Sequence, residues 1–319
     1  MRIWMIGVAF VLDVLLGDPY SWPHPVKIMG NYIQAFLDKS GYQNQSQNTQ
    51  ILYGGLLTTS LLVITASVCG GVLYLSKGFS DVLYFAVGTY LIYTCYSVKC
   101  LSSEAIKVIK AVEKSGLVAG RQQLAMIVGR DTSELTESEI YKAVIETVAE
   151  NTTDGFISPL FYTVLLGPVG GMVYKVINTL DSMVGYRYLP YTYIGRISAK
   201  LDDLANYIPA RIGYYLFIMA SYGLKYNYQG ARSIGWRDKY NHLSPNSGWS
   251  EAPVAGALGI QLGGGHMYKG NYVDKPTIGD DLHEVTKQDI YRTIRLLYGV
   301  AILMVLLSSI GLLIGGIYG

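Results

Sequence analysis

The stretch "ILYGGLLTTSLLVITASVCGGVLYLS", Ile51–Ser76, contains no charged residue. A helix needs about 20 apolar residues to cross a hydrocarbon core about 30 Å thick. The stretch is therefore predicted to be a membrane-spanning helix. Leu296–Gly319 is also free of charge, and Phe79–Val98 carries only Asp81 near its start. These three segments predict a protein embedded in a lipid bilayer.

The overall composition agrees with a membrane protein. Half of the residues are hydrophobic and only 15% are charged, whereas soluble domains carry about 25% charged residues. The net charge of +2, with no basic run between aromatic residues, argues against a nucleic-acid partner. Cys69 and Cys95 lie in apolar stretches and Cys100 lies just beyond one, so we expect buried, reduced thiols.

Three further segments are weaker spans: Met1–Leu16, Phe156–Tyr174 and Leu204–Leu224. The first is short and contains Asp13, and no cleavage pattern follows it, so we interpret it as a retained helix. We therefore predict an all-α, polytopic membrane protein with about four to six apolar helices, helical loops and a single domain over 1–319. If all six segments cross, loops 18–50, 99–155 and 225–295 share one side with 18 Lys and Arg, against 6 on the other. This imbalance predicts that the large loops are cytoplasmic.

The stretch "ETVAENTTDG", 146–155, places Glu146, Glu150 and Asp154 four residues apart. Residues at this spacing share a helix face, and Thr136 with Glu139 forms a predicted capping box that begins this helix. A stop is expected at 151–155. The row is either a solvated acidic face or a site for a divalent cation, most naturally Mg²⁺.

Four other stretches carry groups that could do chemistry. In "LGDPYSWPHPVKIMG", 16–30, a loop stiffened by Pro19, Pro23 and Pro25 is suited to holding a ligand, although its histidine could be structural. Stretches 178–187 and 199–211 bring ionisable residues to membrane depth, where they mark a site or pair with one another; they are Asp181, Arg187, Asp202, Asp203 and Arg211.

The fourth stretch, 241–264, is a turn rich in hydrogen-bonding groups followed by many glycines. Such a segment could let backbone N–H groups approach an anion. The sequence contains no GxxxxGK[ST] phosphate-binding loop, so nucleotide phosphates would need another anchor.

Seven stretches of the sequence together resemble the CobD/CbiB family, membrane-bound cobinamide synthases of cobalamin biosynthesis, over nearly the whole chain. They are "LGDP…PHPVKIMG" (16–30), "VGRDT" (128–132), "ETVAENTTDGFISPLFY" (146–162), "NTLDSMVGYR" (178–187), "LDDLANYIPAR" (201–211), "SPNSGWSEAPVAGALGIQLGG" (244–264) and "KPTIGD" (275–280). The chain departs from the family at "NHLSPNSGWSEAP", where members more often read His-Pro-Ser-Pro. That departure weakens a functional assignment for His242.

The resemblance implies ATP-dependent amide formation in the cell membrane of a prokaryote. The free propionate of adenosylcobyric acid, a corrinoid, would be joined to (R)-1-amino-2-propanol or its phosphate, or to ethanolamine phosphate. An aromatic cleft with Trp22 and Trp249 would suit the corrin. ATP–Mg²⁺ chemistry needs metal-binding carboxylates and cations for phosphates.

We assign hypothetical roles on this basis. The metal ligands are ranked Glu146, Asp154, Glu150, with Asp181 as a possible addition. The groups expected to bind phosphate or substrate are Lys27, Arg130, Asp181, Arg187, Asp202, Arg211, Asn246, Ser247 and Glu251. Asp18 or His24 would accept the proton from the ammonium nucleophile, and the catalytic set is Asp18, His24, Glu146 and Asp154.

The location of ATP adds a constraint on the topology. Six crossings would place Asp181, Arg187 and Asp202 outside, whereas ATP is cytoplasmic. The Pro- and Gly-rich "GPVGG" in Phe156–Tyr174 favours a re-entrant helix, which would return these residues to the cytoplasmic side. Two alternatives are a membrane phosphotransferase acting on lipid or prenyl phosphates, suggested by Asp202-Asp203, and a non-catalytic sensor or transport subunit.

Overall fold

A computed structural model describes residues 1–19, 22, 24–186, 188–268 and 270–318. Arg187 and Pro23, which the sequence analysis singles out, lie outside the described residues. The chain divides into two compact units. The first comprises Met1–Ser97, Ser158–Asn206 and Ser308–Gly319, and the second comprises Val98–Ile157 and Tyr207–Leu307. The prediction of a single domain stays a prediction.

The first unit consists of helices. They are α1 (Arg2–Leu16), α2 (Pro25–Ser40), a 3₁₀ turn (Tyr42–Asn44), α3 (Gln47–Phe79), α4 (Asp81–Tyr93), α7 (Ser158–Val184) and α8 (Arg196–Ala205). In α3, one stripe that includes Leu57 and Leu61 is buried, whereas Val63 and Val68 on the other side are both 58% exposed. A helix with exposed apolar side chains along its length is suited to contact with lipid.

The prediction that Phe79–Val98 spans the membrane is wrong, because the helix in this segment, α4, is short. Ser80 caps this helix by accepting the Leu83 N–H at 3.1 Å, and α4 ends at Tyr93 after 13 residues. At 1.5 Å per residue such a helix is about 20 Å long. It is therefore too short to cross a 30 Å core alone.

The prolines and glycines of the "GPVGG" segment break α7. Gly167 has φ 75°, and Pro168 follows it inside the helix. Because proline has no N–H, the Val164 carbonyl loses its donor four residues on. The guanidinium of Arg2 supplies one instead, at 2.8 Å. The predicted break is therefore present, while a re-entrant path stays a prediction.

The second unit holds the other helices and the four short strands found in the described residues. The helices are α5 (Val98–Leu124), α6 (Glu137–Thr152), α9 (Tyr207–Gly223), α10 (Tyr228–Asp238), α11 (Gly248–Leu258) and most of α12 (Lys287–Tyr318). The strands form two antiparallel pairs: β1 (Leu262–Gly263) with β4 (Thr277–Ile278), and β2 (His266–Tyr268) with β3 (Asn271–Val273).

The start of α6 is confirmed and its end is not. Thr136 and Glu139 form the predicted capping box. The expected stop at 151–155 is wrong, because the chain continues as a π-helical turn over Thr153–Ile157. The helix thus keeps Glu146 and Glu150 on one face and carries Asp154 into the π turn.

Helices α10 and α11 pack backbone to backbone. A Cβ at Gly256 would lie 2.2 Å from the carbonyl oxygen of Gly230, and a Cβ at Gly230 would lie 2.3 Å from that of Gly256. Only glycine permits this approach. The contact fixes α11, which carries Glu251, against its neighbour.

Three helices of the described residues are long and apolar enough to cross a membrane, namely Gln47–Phe79, Glu137–Val184 and Lys287–Gly315. They include the predicted spans Ile51–Ser76 and Phe156–Tyr174 and most of the predicted span at the C-terminus. The protein is therefore an all-α membrane protein. The number of four to six crossings stays a prediction.

Candidate active site

Glu146 of α6 lies at the centre of a polar cluster in the second unit. One of its carboxylate oxygens, Oε2, pairs with the guanidinium of Arg130. The side chains of Arg130 and Glu146 are only 10% and 8% exposed. A buried charge needs a partner of opposite sign and further hydrogen bonds. The ion pair supplies the first of these requirements.

The second requirement is met by Gly263 at the end of β1. Its backbone N–H donates to Glu146 Oε1 at 2.7 Å. Gly263 has φ 71°, and a Cβ there would lie 2.7 Å from the carbonyl oxygen of Pro276. Both facts favour glycine at this position. The predicted approach of the glycine-dense stretch to an anion is therefore present, and the anion is a carboxylate of the protein itself.

Glu150 lies one turn after Glu146 and is half-buried. The hydroxyl of Ser247 donates to Glu150 Oε1 at 2.7 Å. Ser247 immediately precedes α11, which begins at Gly248. The predicted residues Glu146, Glu150 and Ser247 thus lie in one cluster.

Glu251, in the first turn of α11, is 3% exposed. Its Oε1 lies 3.8 Å from His242 Nε2. His242 Nδ1 accepts the Ser244 N–H at 3.0 Å, so in the neutral ring Nε2 carries the proton toward Glu251. Burial, together with the nearby carboxylates of Glu146 and Glu150, raises the pKa of Glu251 well above its ordinary value. This carboxyl is therefore protonated over a wider pH range than a solvated one.

Burial lowers the pKa of His242 below its ordinary value, against the opposing influence of the Glu150 carboxylate. Neutral His242 and protonated Glu251 therefore form a pair of polar side chains without a net charge. The weak sequence match had made His242 an insecure assignment. Its position beside Glu251 places it in the cluster.

Arg211 of α9 lies at an aromatic wall of the second unit. Its guanidinium donates to Asn246 Oδ1 at 2.6 Å and lies over the rings of Tyr207 and Trp249, 3.7 and 4.6 Å from their centroids. Trp249 is 5% exposed. Its ring therefore packs inside the unit, in contrast to Trp22, which is 46% exposed.

Two residues that the sequence analysis did not assign, His266 and Lys275, belong to the same region. His266 is in β2, and Lys275 Nζ donates to the hydroxyl of Tyr268, also in β2, at 2.6 Å. Burial, and next the positive charge of Arg130, lower the pKa of His266. The sequence signal for these two residues was "GGGH" (263–266) at the start of two short strands. This pattern alone is too weak to assign a function.

The predicted metal ligands are Glu146, Asp154 and Glu150. Within the described residues, no group of three or more His, Cys, Asp or Glu side chains has the geometry of a metal site. Mg²⁺ is usually held by one or two carboxylates together with waters and substrate phosphates, and the carboxylates of Glu146 and Glu150 are the donors it prefers. The metal assignment stays a prediction, as does that of Asp154 in the π turn.

The remaining predicted residues belong to the first unit. His24 is the N-cap of α2, where its Nδ1 accepts the Val26 N–H at 3.3 Å. Its Nε2 faces Asp18 Oδ1 at 3.5 Å, so the two predicted proton acceptors lie side by side. Lys27 lies in the first turn of α2, and Asp181 lies near the end of α7. Their roles stay predictions.

Asp202 takes part in a buried network in the first unit. Its Oδ2 accepts from Asn206 Nδ2 at 3.0 Å. Asn206 Oδ1 in turn accepts from the hydroxyls of Ser158 at 2.5 Å and Tyr174 at 2.8 Å. This network joins α7 to the end of α8. Such a position suits a structural side chain at least as well as a ligand for phosphate.

The fold and the site define a class of protein: a helical membrane protein with a buried cluster of carboxylates, guanidinium and histidine. The model of the CobD/Cbib protein family matches residues 6–297. The chain therefore belongs to the CobD/Cbib family.

Curated relatives agree over almost their whole length. The chain is 50% identical to the cobalamin biosynthesis protein CobD of Streptococcus sanguinis over 93% of each chain. It is 48% identical to the protein of the same name from Listeria monocytogenes, over 96% of this chain and 97% of the relative. It is 44% identical to the cobalamin biosynthesis protein CbiB of Salmonella typhi, over 91% of each. No solved structure gives a significant match. The family and these relatives indicate a role in cobalamin biosynthesis.

Proposed function

We propose that the protein is an ATP- and Mg²⁺-dependent amide ligase. It joins the free propionate of adenosylcobyric acid to (R)-1-amino-2-propanol or its O-phosphate, giving adenosylcobinamide or its phosphate. Ethanolamine phosphate is an analogous acceptor. The observation that carries the proposal is the cluster around Glu146, in which two carboxylates of α6 lie beside a guanidinium and a hydroxyl in a chain of the CobD/Cbib family.

The reaction needs an activated carboxylate, because oxide is a poor leaving group. Transfer of the γ-phosphoryl group of ATP to the propionate gives an acyl phosphate and ADP. The amine then attacks the carbonyl carbon, the C–N bond forms, the C–O bond to phosphate breaks and one proton is released. Every anionic reactant has to be brought close to the others, so cationic groups and a metal ion lower the barrier.

The residues of the second unit divide this work. Arg130 and Lys275 offer positive charge to phosphoryl oxygens. Glu150, oriented by Ser247 at 2.7 Å, would hold Mg²⁺, which when bound neutralises phosphate charge. Glu251, with its raised pKa, can donate a hydrogen bond as a neutral acid. Asp18 or His24 remains the predicted acceptor for the proton of the amine.

The origin of these side chains supports a cytoplasmic site. Arg130, Glu146 and Glu150 come from loop 99–155, and Ser247 and Glu251 come from loop 225–295. These two loops carry 16 of the 25 Lys and Arg of the chain, an enrichment that is typical of cytoplasmic loops, and the cytoplasm is where ATP is available. We therefore propose a multi-pass protein of the cell membrane with this cluster on its cytoplasmic side.

The test is an assay on purified full-length protein in detergent. Adenosylcobyric acid, aminopropanol phosphate and Mg²⁺-ATP are mixed with it, and the amide product is sought by mass spectrometry. Separate reactions receive aminopropanol or ethanolamine phosphate, and one contains EDTA. A known synthase under the same conditions is the positive control. Product from that control and none from this protein would contradict the proposal.

A further inference from the structure

One nitrogen of the Arg130 guanidinium has no hydrogen-bond partner among the described residues of the cluster around Glu146. Nη2 pairs with Glu146. Nη1 is buried and has no hydrogen-bond partner among the described residues. A buried donor left without a partner costs free energy. In a side chain that is only 10% exposed, such a donor indicates a ligand that completes the site.

A second buried polar atom with the same property lies on β2. His266 Nε2 is buried and has no partner within the described part of the chain. Burial and the charge of Arg130 lower the pKa of His266, so its ring is neutral near pH 7 and one ring nitrogen carries a proton. In the Nε2–H tautomer, the neutral imidazole can donate from this buried nitrogen to an anion without adding charge repulsion against Arg130.

The third group is Lys275, which follows β3 and reaches back to β2. Its ammonium donates to Tyr268 Oη at 2.6 Å and lies 4.7 Å from the ring centroid of Tyr268. Among the described residues it has no carboxylate partner. It is close enough to act on the pKa of both His266 and Glu251. Its positive charge is therefore not neutralised by an ion pair.

The backbone ties these three groups into one structure. The N–H of Asp131, next to Arg130, donates to the Met267 carbonyl at 2.9 Å. The N–H of Gly270, in the turn between β2 and β3, donates to Asp131 Oδ2 at 2.8 Å. The loop that carries Arg130 is thus hydrogen-bonded to the strand that carries His266, and Lys275 contacts the same strand through Tyr268.

We propose that Arg130, His266 and Lys275 form a subsite for a phosphate group, either the phosphoanhydride of a nucleotide or a phosphate monoester. The donors of the subsite come from the loop before α6, from β2 and from the segment after β3, whereas the acidic side of the cluster, Glu150 and Glu251, lies on α6 and α11. Glu146 pairs with Nη2 of Arg130 and leaves Nη1 for the ligand. The subsite rests on the proposed function, since it holds one of the two phosphates of that reaction.

Pyrophosphate binding tests the subsite without any ligase activity. Isothermal titration of the purified full-length protein is carried out with inorganic pyrophosphate. The variant His266→Leu removes the ring N–H and Lys275→Gln removes the positive charge, and both leave the Arg130–Glu146 pair intact, so they are expected to fold. Each should weaken binding about ten-fold, the effect of losing one charge-assisted hydrogen bond. Lys287→Gln, which removes an exposed lysine paired with Glu113, is the matched control and should bind like the wild type.

Competition identifies the source of the phosphate. A non-hydrolysable ATP analogue that displaces pyrophosphate in a Lys275-dependent manner assigns the subsite to the nucleotide. Displacement by aminopropanol phosphate assigns it to the acceptor. Either result supports the subsite. Wild-type affinity for pyrophosphate in both variants would overturn the subsite, even if the amide assay succeeds. Lys275-dependent binding without amide formation would contradict the ligase proposal and leave the subsite supported.

Discussion

Arg130 and Glu146 form a buried ion pair in which Glu146 is held a second time, by the Gly263 N–H at 2.7 Å. Both oxygens of this carboxylate therefore have protein donors. Glu150, by contrast, is half-buried and has the Ser247 hydroxyl at one oxygen. The two acids of the row thus differ in environment, which predicts different consequences when each is changed.

The variant Glu146→Gln is expected to be destabilised. The amide cannot compensate the charge of Arg130, and breaking one partner of a buried ion pair typically costs about 3–5 kcal/mol. Chemical unfolding of the purified protein in detergent measures this free energy. Glu134→Gln, at an exposed position before α6, is the control and should match the wild type. A Glu146→Gln protein as stable as the wild type would contradict the structural role of Glu146. Full synthase activity of this variant at limiting Mg²⁺ would contradict its role as a metal ligand.

Ser247→Ala is expected to raise the Mg²⁺ requirement of the synthase. The hydroxyl orients Glu150 at 2.7 Å, and loss of a group that orients a metal ligand typically costs about 10–100-fold in metal affinity or activity. The measurement is the initial rate of amide formation as a function of Mg²⁺ concentration. Ser233→Ala on α10, an exposed serine, should leave the Mg²⁺ dependence unchanged. If both variants show the wild-type dependence, Glu150 has no role as a metal ligand that depends on Ser247.

Much of the local structure could be predicted because it is encoded locally. The charge-free stretch Ile51–Ser76 is a helix, and the Thr136–Glu139 capping box begins α6 as predicted. The error at Phe79–Val98 has a local cause as well. Ser80 is a cap residue within the apolar run, and its hydroxyl accepts the Leu83 N–H, so the composition alone concealed a helix start.

The candidate site could be predicted only in part, because its pairings are distant along the chain. Gly263 and Glu146 are 117 positions apart, and Ser247 and Glu150 are 97 positions apart. Spacing along a helix shows that Glu146 and Glu150 share a face, but it carries no information about what lies opposite. His266 and Lys275 were missed because they lie in or next to short strands, which have too little periodicity to show which residues they face.

The pH dependence of stability should report the raised pKa of Glu251. Below the ordinary value of 4.5, this carboxyl is protonated in the folded and unfolded states alike. Above it, the unfolded state releases the proton and the folded state retains it, so this group lowers the free energy of unfolding as pH rises toward the folded pKa. Glu251→Gln mimics the neutral acid, and its stability relative to the wild type should therefore increase with pH.

The measurement is the Tm of both proteins from about pH 4 to about pH 8, without added divalent cation. Glu134→Gln serves again as the control, and its profile should run parallel to that of the wild type. A constant difference in Tm between Glu251→Gln and the wild type across this range would show that the Glu251 carboxyl is not kept neutral by its surroundings.

Gly256→Ala is expected to separate α10 from α11. The new methyl group would lie 2.2 Å from the Gly230 carbonyl oxygen and 2.8 Å from Ile234 Cβ, so the helices have to move apart. Overpacking of this kind typically costs about 1–3 kcal/mol. Gly223→Ala, at the end of α9, has open space for a methyl group and should be neutral or slightly stabilising. Equal Tm values for the two variants would mean that the close contact does not contribute to stability.

Ser182 tests the path of the chain after the break at Gly167. The residue is exposed and lies near the end of α7. If Phe156–Tyr174 is re-entrant, Ser182→Cys should be protected from a membrane-impermeant maleimide in intact cells and labelled in inverted vesicles. Cys69 and Cys95 are buried and Cys100 is partly exposed, so the background protein carries Cys100→Ser. Asn44→Cys before α3 and Lys77→Cys near its end mark the predicted cytoplasmic side and the opposite side, and Glu134→Cys reports the side of the loop that precedes the break. Labelling of Ser182→Cys from the outside only, as for Lys77→Cys, would refute the re-entrant path and place Asp181 away from ATP.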